Sequence, residues 1–239
     1  MPIVQFDGKL LFYAHIPKTA GTSVADLLAR HGGTQQFYAN LAHLAPKNHR
    51  LLNLPPQHVT AAHFDELFDA SGFDGLFAFT RHPEERIVSE YRFRRAHGGI
   101  HAALSFSDWL VFITSAYREY PFLLEGHILP QNLFFVDGSK LFRLEDGFDG
   151  LINWLKLEFG IIVATETVIP QKNVSEGPGV SLFAEDRQLI NEFYKDDFNI
   201  AGYDARDPAA LPSAGVSYAL KRYWLGRLGE IYALNKRNQ

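Results

Sequence analysis

Four residues that can meet an anion fall within six positions of one another: Lys18, Gly21, Thr22 and Ser23. Lysine supplies a positive point charge, the two hydroxyls supply donors, and glycine lets the backbone turn sharply and a ligand come close. The chemistry this set suits is the binding of a phosphate-like group. It departs from the common nucleotide loop, G-x-x-x-x-G-K-[ST], because Lys18 precedes the glycine and no lysine stands before Thr22. A second set lies at Arg81 and Ser89. An arginine offers a fixed fork to a phosphate, and a serine hydroxyl can add one bond.

The flanking sequence says what must position these residues. Leu10–Ile16 is an apolar and aromatic run of strand type, and Pro17 ends its pairing because it has no N–H to donate. Val24, Leu27 and Leu28 then recur at helical spacing, so a helix opens at Thr22 or Ser23. Strand, tight turn and helix start form an anion cradle, with Pro17, Lys18, Thr19, Ala20, Gly21, Thr22 and Ser23 as its members. An ordinary capped helix with an exposed lysine would read the same way. Leu76–Phe79 gives a second buried strand ending in Thr80 and Arg81, and Pro83 with Glu84 and Glu85 suits the first turn of a following helix. This puts Arg81 at a strand's C-terminal end, the edge where open α/β sheets bind ligands. Taken singly, Arg81 also suits an ion pair with Glu84 or Glu85, and Ser89 a solvated helix position.

Together, HIPKTAGTS (15–23) and FTRHPEERIVSEY (79–91) resemble the sulfotransferases, in particular the branch of heparan-sulfate 2-O-sulfotransferases and their bacterial relatives. The first segment looks like that family's 5′-phosphosulfate loop. The second follows its R-x-P-x-x-R-x-x-S-x-Y segment for the 3′-phosphate, with His82 where the family usually has aspartate. HILPQNLFF, QKNVS and EFYKDDFNIAGYD continue the resemblance downstream. It implies a donor, 3′-phosphoadenosine 5′-phosphosulfate (PAPS, leaving as PAP), held by the first loop, by Arg81 and Ser89, and by Lys172, Asn173 and Ser175. It also implies Lys18 as the group that stabilises the breaking bond, and His63 as catalytic base, on a strand spanning Val59–Phe64. Only His63 matches the family's H-x-H pair, because Ala61 holds the first position. A core or rim histidine would look no different. No metal is expected, since Lys18 and the helix end supply positive charge.

Composition sets the outer limits. The 239 residues suit a single α/β domain over 1–239, expected as a P-loop-like fold with a mainly parallel central sheet and helices on both faces. A net charge of −4 argues against a general nucleic-acid binder. The absence of cysteine excludes disulfides, a thiol nucleophile and thiolate metal sites. No stretch approaches the ~20 apolar residues of a membrane span, and the first residues lack a basic segment followed by an apolar run. A cytoplasmic, bacterial-type enzyme is the expectation. Further helices are expected over 106–120, capped by Ser107 or Asp108, over 148–159 and over 185–198, with an edge strand at 140–144. The last helix carries Lys221, Arg222 and Arg227 and suits packing on the body, a second subunit or a membrane surface. His127 and Gln131 are candidates to face the acceptor, expected to be a carbohydrate or another small hydroxyl compound, with sugar, lipid, polyketide chain and small aromatic alcohol all open. Two other functions fit the same residues: an ATP-dependent P-loop kinase of small molecules, and a non-catalytic nucleotide-binding protein.

Overall fold

Asp7 and Gly8, both at positive φ (40° and 81°), fold the first strand back on the second. A two-residue turn of this kind matches the twist of a hairpin and permits only antiparallel pairing. Strand β1 (Ile3–Phe6) therefore pairs antiparallel with β2 (Lys9–Ala14), Val4 opposite Leu11. The computed structural model describes residues 3–36, 54–163 and 180–237. Its chain falls into two compact units, one of Met1–Arg81 with Gln131–Val174 and the other of His82–Pro130 with Ser175–Gln239. Lys172, Asn173 and Ser175 lie outside the described residues.

The first unit holds a five-stranded sheet in the order β3-β1-β2-β4-β5. β3 (Thr34–Gln36) pairs antiparallel with β1, while β4 (Gly75–Thr80) runs parallel to β2 and β5 (Lys140–Arg143) parallel to β4. The sheet is thus mixed rather than mainly parallel. The parallel half carries the loops that follow β2 and β4, and the tight Asp7–Gly8 turn forces the other half to be antiparallel.

Alternation along the strands divides the core. Val4, Leu11, Tyr13, Phe77, Phe79 and Phe142 face one side, under helices α1 (Gly21–Arg30) and α6 (Asp149–Phe159) through Val24, Leu28, Leu151 and Leu155. Phe12 points the other way, its ring 4.4 Å from that of Phe64 on α2 (Ala61–Leu67). Helices therefore cover both faces of this sheet. α2 replaces the strand anticipated at Val59–Phe64. Only Val59 and Thr60 are extended; Ala61 and Ala62 favour helix, and Phe64 and Phe68, one turn apart, pack together at 5.5 Å.

The second unit is helical: α3 (Pro83–Ala96), α4 (Ile100–Ala103), α5 (Phe106–Glu119), α7 (Ala184–Phe193), α8 (Lys195–Ile200) and α9 (Val216–Arg237). Ile87, Tyr91, Trp109, Leu110, Ile113 and Tyr194 form its core. Ser105, not Ser107 or Asp108, caps α5 by accepting from the Asp108 N–H at 3.2 Å. The single helix anticipated over 185–198 breaks at Tyr194, whose buried hydroxyl donates to the Ile128 carbonyl at 3.0 Å. α9 lies close along α5: a Cβ at Gly229 would come within 2.1 Å of the Phe112 carbonyl oxygen.

Candidate functional site

The turn between β2 and α1 is held in a conformation that its residues do not favour by themselves. Lys18 and Ala20 both sit in the left-handed region, at φ 68° and 63°. Each such non-glycine residue costs on the order of 1–2 kcal/mol and persists only where its surroundings fix it. The fixing contacts are visible. Thr19 is fully buried and donates its hydroxyl to the Ile16 carbonyl at 2.8 Å, and the Arg81 guanidinium reaches the Lys18 carbonyl at 3.4 Å. Gly21 is required for space: a Cβ there would overlap the His15 imidazole, 1.8 Å from Nε2. His15 is in turn stacked on Tyr13 and edge-on to His58.

The bend aims backbone donors outward. The Ala20 carbonyl accepts from Ser23 and Val24, and α1 has neither a side-chain cap nor an acid in its first turn. Among the described residues, no acceptor bonds the N–H groups of Ala20, Gly21 and Thr22. Three successive amides at the positive end of a ten-residue helix, next to Lys18, are of the kind that suits an anion. The helix opens at Gly21, one residue earlier than its apolar spacing indicates. Pro17, Thr19 and Ser23 are buried, Lys18 is half-buried and Thr22 is exposed.

Arg81 follows β4 directly and is held from an unexpected direction. The Gln131 side-chain amide accepts from the Arg81 N–H at 3.0 Å and donates to the Arg81 carbonyl at 2.9 Å. Gln131 is 2% exposed, so its amide is committed to this task and does not face an acceptor. Fifty residues separate the two, and no local signal in the sequence links them. His63 lies in the first turn of α2, with its Nδ1 2.7 Å from the Thr60 hydroxyl. Thr60 is the N-cap residue of α2, yet its hydroxyl serves the imidazole and not the helix. α2 itself packs against the 3-10 turn Gln131–Phe134. The first unit therefore gathers the loop 17–23, Arg81 and Gln131, with His63 on the helix beside the last.

In the second unit the remaining members of the 79–91 segment do structural work. Arg86 is 1% exposed and donates to the His127 and Leu129 carbonyls at 3.1 and 2.7 Å, and Tyr91 donates to the Leu104 carbonyl at 2.8 Å. Ser89 is buried on α3. His127 Nδ1 lies 2.8 Å from Glu90, whose carboxylate Arg94 also holds at 2.6 Å. Burial pushes the Glu90 pKa up, but His127 and Arg94 outweigh it and bring the value down to about 2. His82 caps α3: its Nδ1 accepts from the Glu84 N–H at 3.3 Å, and its Nε2–H donates to the Asp204 carbonyl at 3.2 Å. Burial, seconded by Arg206, holds the His82 pKa below its ordinary value, against the opposing pull of the Asp204 carbonyl, Glu84 and Glu85. With both ring nitrogens engaged in the neutral form, His82 is unsuited to act as a base.

Comparison with known proteins adds one positive finding. No curated protein and no solved structure matches the chain. A family model described as "Sulfotransferase family" matches residues 2–135, more than half of the 239, including both the 17–23 loop and the Arg81 segment. The chain belongs to the sulfotransferase family.

Proposed function

We propose that the protein moves a sulfuryl group from PAPS to the hydroxyl or amine of an acceptor such as a carbohydrate or another small hydroxyl compound. The observation that carries this reading is the strained 17–21 turn, which places Lys18 and three N–H groups without an acceptor among the described residues at the start of α1, while Arg81 reaches its backbone. The donor set fits a phosphate-bearing ligand, being cationic and rich in N–H groups with no carboxylate in the first helical turn. In this reading the N–H groups of Ala20, Gly21 and Thr22, with the Thr22 and Ser23 hydroxyls, bind the 5′-phosphate. Arg81 and Ser89 bind the 3′-phosphate, and Lys172, Asn173 and Ser175 close on the nucleotide. PAPS supplies an activated sulfuryl group whose departure from the nucleotide leaves negative charge on the bridging oxygen. Lys18 stabilises that charge as it develops, a contribution larger in the transition state than in the ground state.

His63 takes the acceptor proton. For this its Nε2 must carry the lone pair, so Nδ1–H donates to the Thr60 hydroxyl oxygen; the opposite tautomer would leave Nε2 protonated and inert as a base. Gln131 acts through Arg81, fixing the backbone from which the guanidinium reaches both the loop and the 3′-phosphate. The three parallel strands β2, β4 and β5, which make up one side of the sheet, supply the P-loop-like frame.

Calorimetry of PAP against AMP tests the reading. PAP binds the wild-type protein at least about tenfold more tightly, one charged hydrogen bond being worth roughly 1.5–3 kcal/mol. Arg81→Ala removes that preference, and Gln131→Ala lowers it. Equal affinities of the wild-type protein for PAP and AMP would overturn the donor assignment.

A further inference from the structure

Helix α9 has two apolar faces, and the body of its unit uses only one. Tyr218, Leu225, Gly229 and Ala233 are buried, with Gly229 set against the α5 backbone. At 3.6 residues per turn, Leu220, Tyr223, Trp224, Leu228, Ile231 and Leu234 fall on the opposite side within an arc of about 140°. All six are exposed, from 43% at Leu234 to 73% at Leu220, with Trp224 at 66%. The stripe runs about 21 Å along the helix axis, at 1.5 Å per residue. Isolated exposed apolar residues are ordinary, whereas a contiguous row of six marks a binding surface.

Charge indicates what covers it. The 22 residues of α9 hold five basic side chains, Lys221, Arg222, Arg227, Lys236 and Arg237, against a single acid, Glu230, a net +4 that Asp108 of α5, ion-paired to Lys221 at 2.7 Å, lowers to +3. The whole chain carries −4, so the helix is a basic element on an acidic protein. A second copy of the chain would bring two such helices face to face, and their like charges would repel. An anionic lipid surface attracts them. Tyr223 and Trp224 side by side, their rings 5.5 Å apart, are the residue types that settle at the level of lipid headgroups. Among the described residues no helix is long and apolar enough to cross a membrane, so the helix would lie in the plane of the interface.

We propose that the outward face of α9 docks on an anionic phospholipid bilayer. Cosedimentation of the full chain with vesicles of phosphatidylglycerol and phosphatidylcholine, against phosphatidylcholine alone, tests this. Binding to the anionic vesicles is expected to be at least about tenfold stronger and to weaken in high salt. Brominated lipid should quench tryptophan emission, because Trp224 is the indole on the exposed stripe. Trp224→Ser with Leu228→Ser should abolish binding while leaving thermal unfolding unchanged, since neither side chain is buried. Lys236→Glu with Arg237→Glu, at the last turn, should remove the anionic preference. The proposal is overturned if wild-type protein ignores both vesicle types, if the serine variant binds as wild type does, or if sedimentation equilibrium shows the stripe closing a dimer that no vesicle competes for.

Discussion

Helices α1 and α3 each begin directly after a parallel strand's C-terminal end, yet their N-termini are treated in opposite ways. α1 opens on a left-handed alanine, with no side-chain cap and no acid in its first turn. α3 opens on His82 as cap and Pro83, which has no N–H to satisfy, followed by Glu84 and Glu85. Glu84 is buried, which alone would raise its pKa, but bonds from Arg187 (2.8 Å) and Arg206 hold it below its usual range. The positive end of α3 is thus neutralised from within the protein, whereas that of α1 is left for something else. Of two helices that each follow a parallel strand, α3 has its start satisfied by its own cap and acids, whereas among the described residues α1 does not.

The largest effect expected from this contrast is at Lys18. Lys18→Ala should lower kcat by about 10²–10³-fold while changing the KM for donor far less, because its contact strengthens as the leaving oxygen gains charge. A variant with normal kcat and a raised KM would make Lys18 a binding residue only. A smaller effect is expected from giving α1 the acid that α3 already has. Ala20→Asp places a carboxylate at a position whose left-handed backbone aspartate tolerates. It should weaken PAP binding about tenfold or more by calorimetry, while thermal stability holds or rises by about 0.3–1 kcal/mol. Undiminished PAP affinity would show that the start of α1 is not the anion site.

The smallest effect concerns the α3 cap. His82 is held neutral in the folded protein, its pKa depressed by burial, while the unfolded chain takes up a proton near 6.5. Between the folded value and 6.5 the unfolded state binds more protons, so stability is full above that window and declines as pH falls through it. His82→Asn keeps a capping acceptor and should flatten this part of the pH–stability curve, measured by denaturant unfolding. An unchanged slope would place the titration at another group.

Much of the arrangement is legible in the residues because its signals are local. Leu10–Ile16 with Pro17 and Gly21 locates the loop to within two residues, β2 ending at Ala14 and α1 opening at Gly21, Pro83 locates the start of α3, and the 148–159 periodicity locates α6. Asp7–Gly8 is an equally local hairpin signal, and it accounts for the antiparallel half of the sheet. At 57–67 two β-branched residues followed by two alanines make an ambiguous run. Tertiary contact of Phe64 with Phe12 settles it as helix. Gln131 is another matter. Its partner is fifty positions away, and a glutamine gives no periodicity by which to find it.

Gln131 also changes what kind of residue Arg81 is. β4 ends at Thr80, but the next residue, Arg81, has both its N–H and its carbonyl bonded by one primary amide, as a facing residue of a neighbouring strand would bond them. The side chain acts as a one-residue prosthetic strand, prolonging the ladder by a single rung with no further chain to build it. Arg81 thereby inherits the stiffness of the sheet interior while standing beyond its rim, and its amide should exchange with solvent as slowly as those of β4. A guanidinium on such a mount keeps its four side-chain torsions as its only freedom, which suits the ligand-binding role proposed for it.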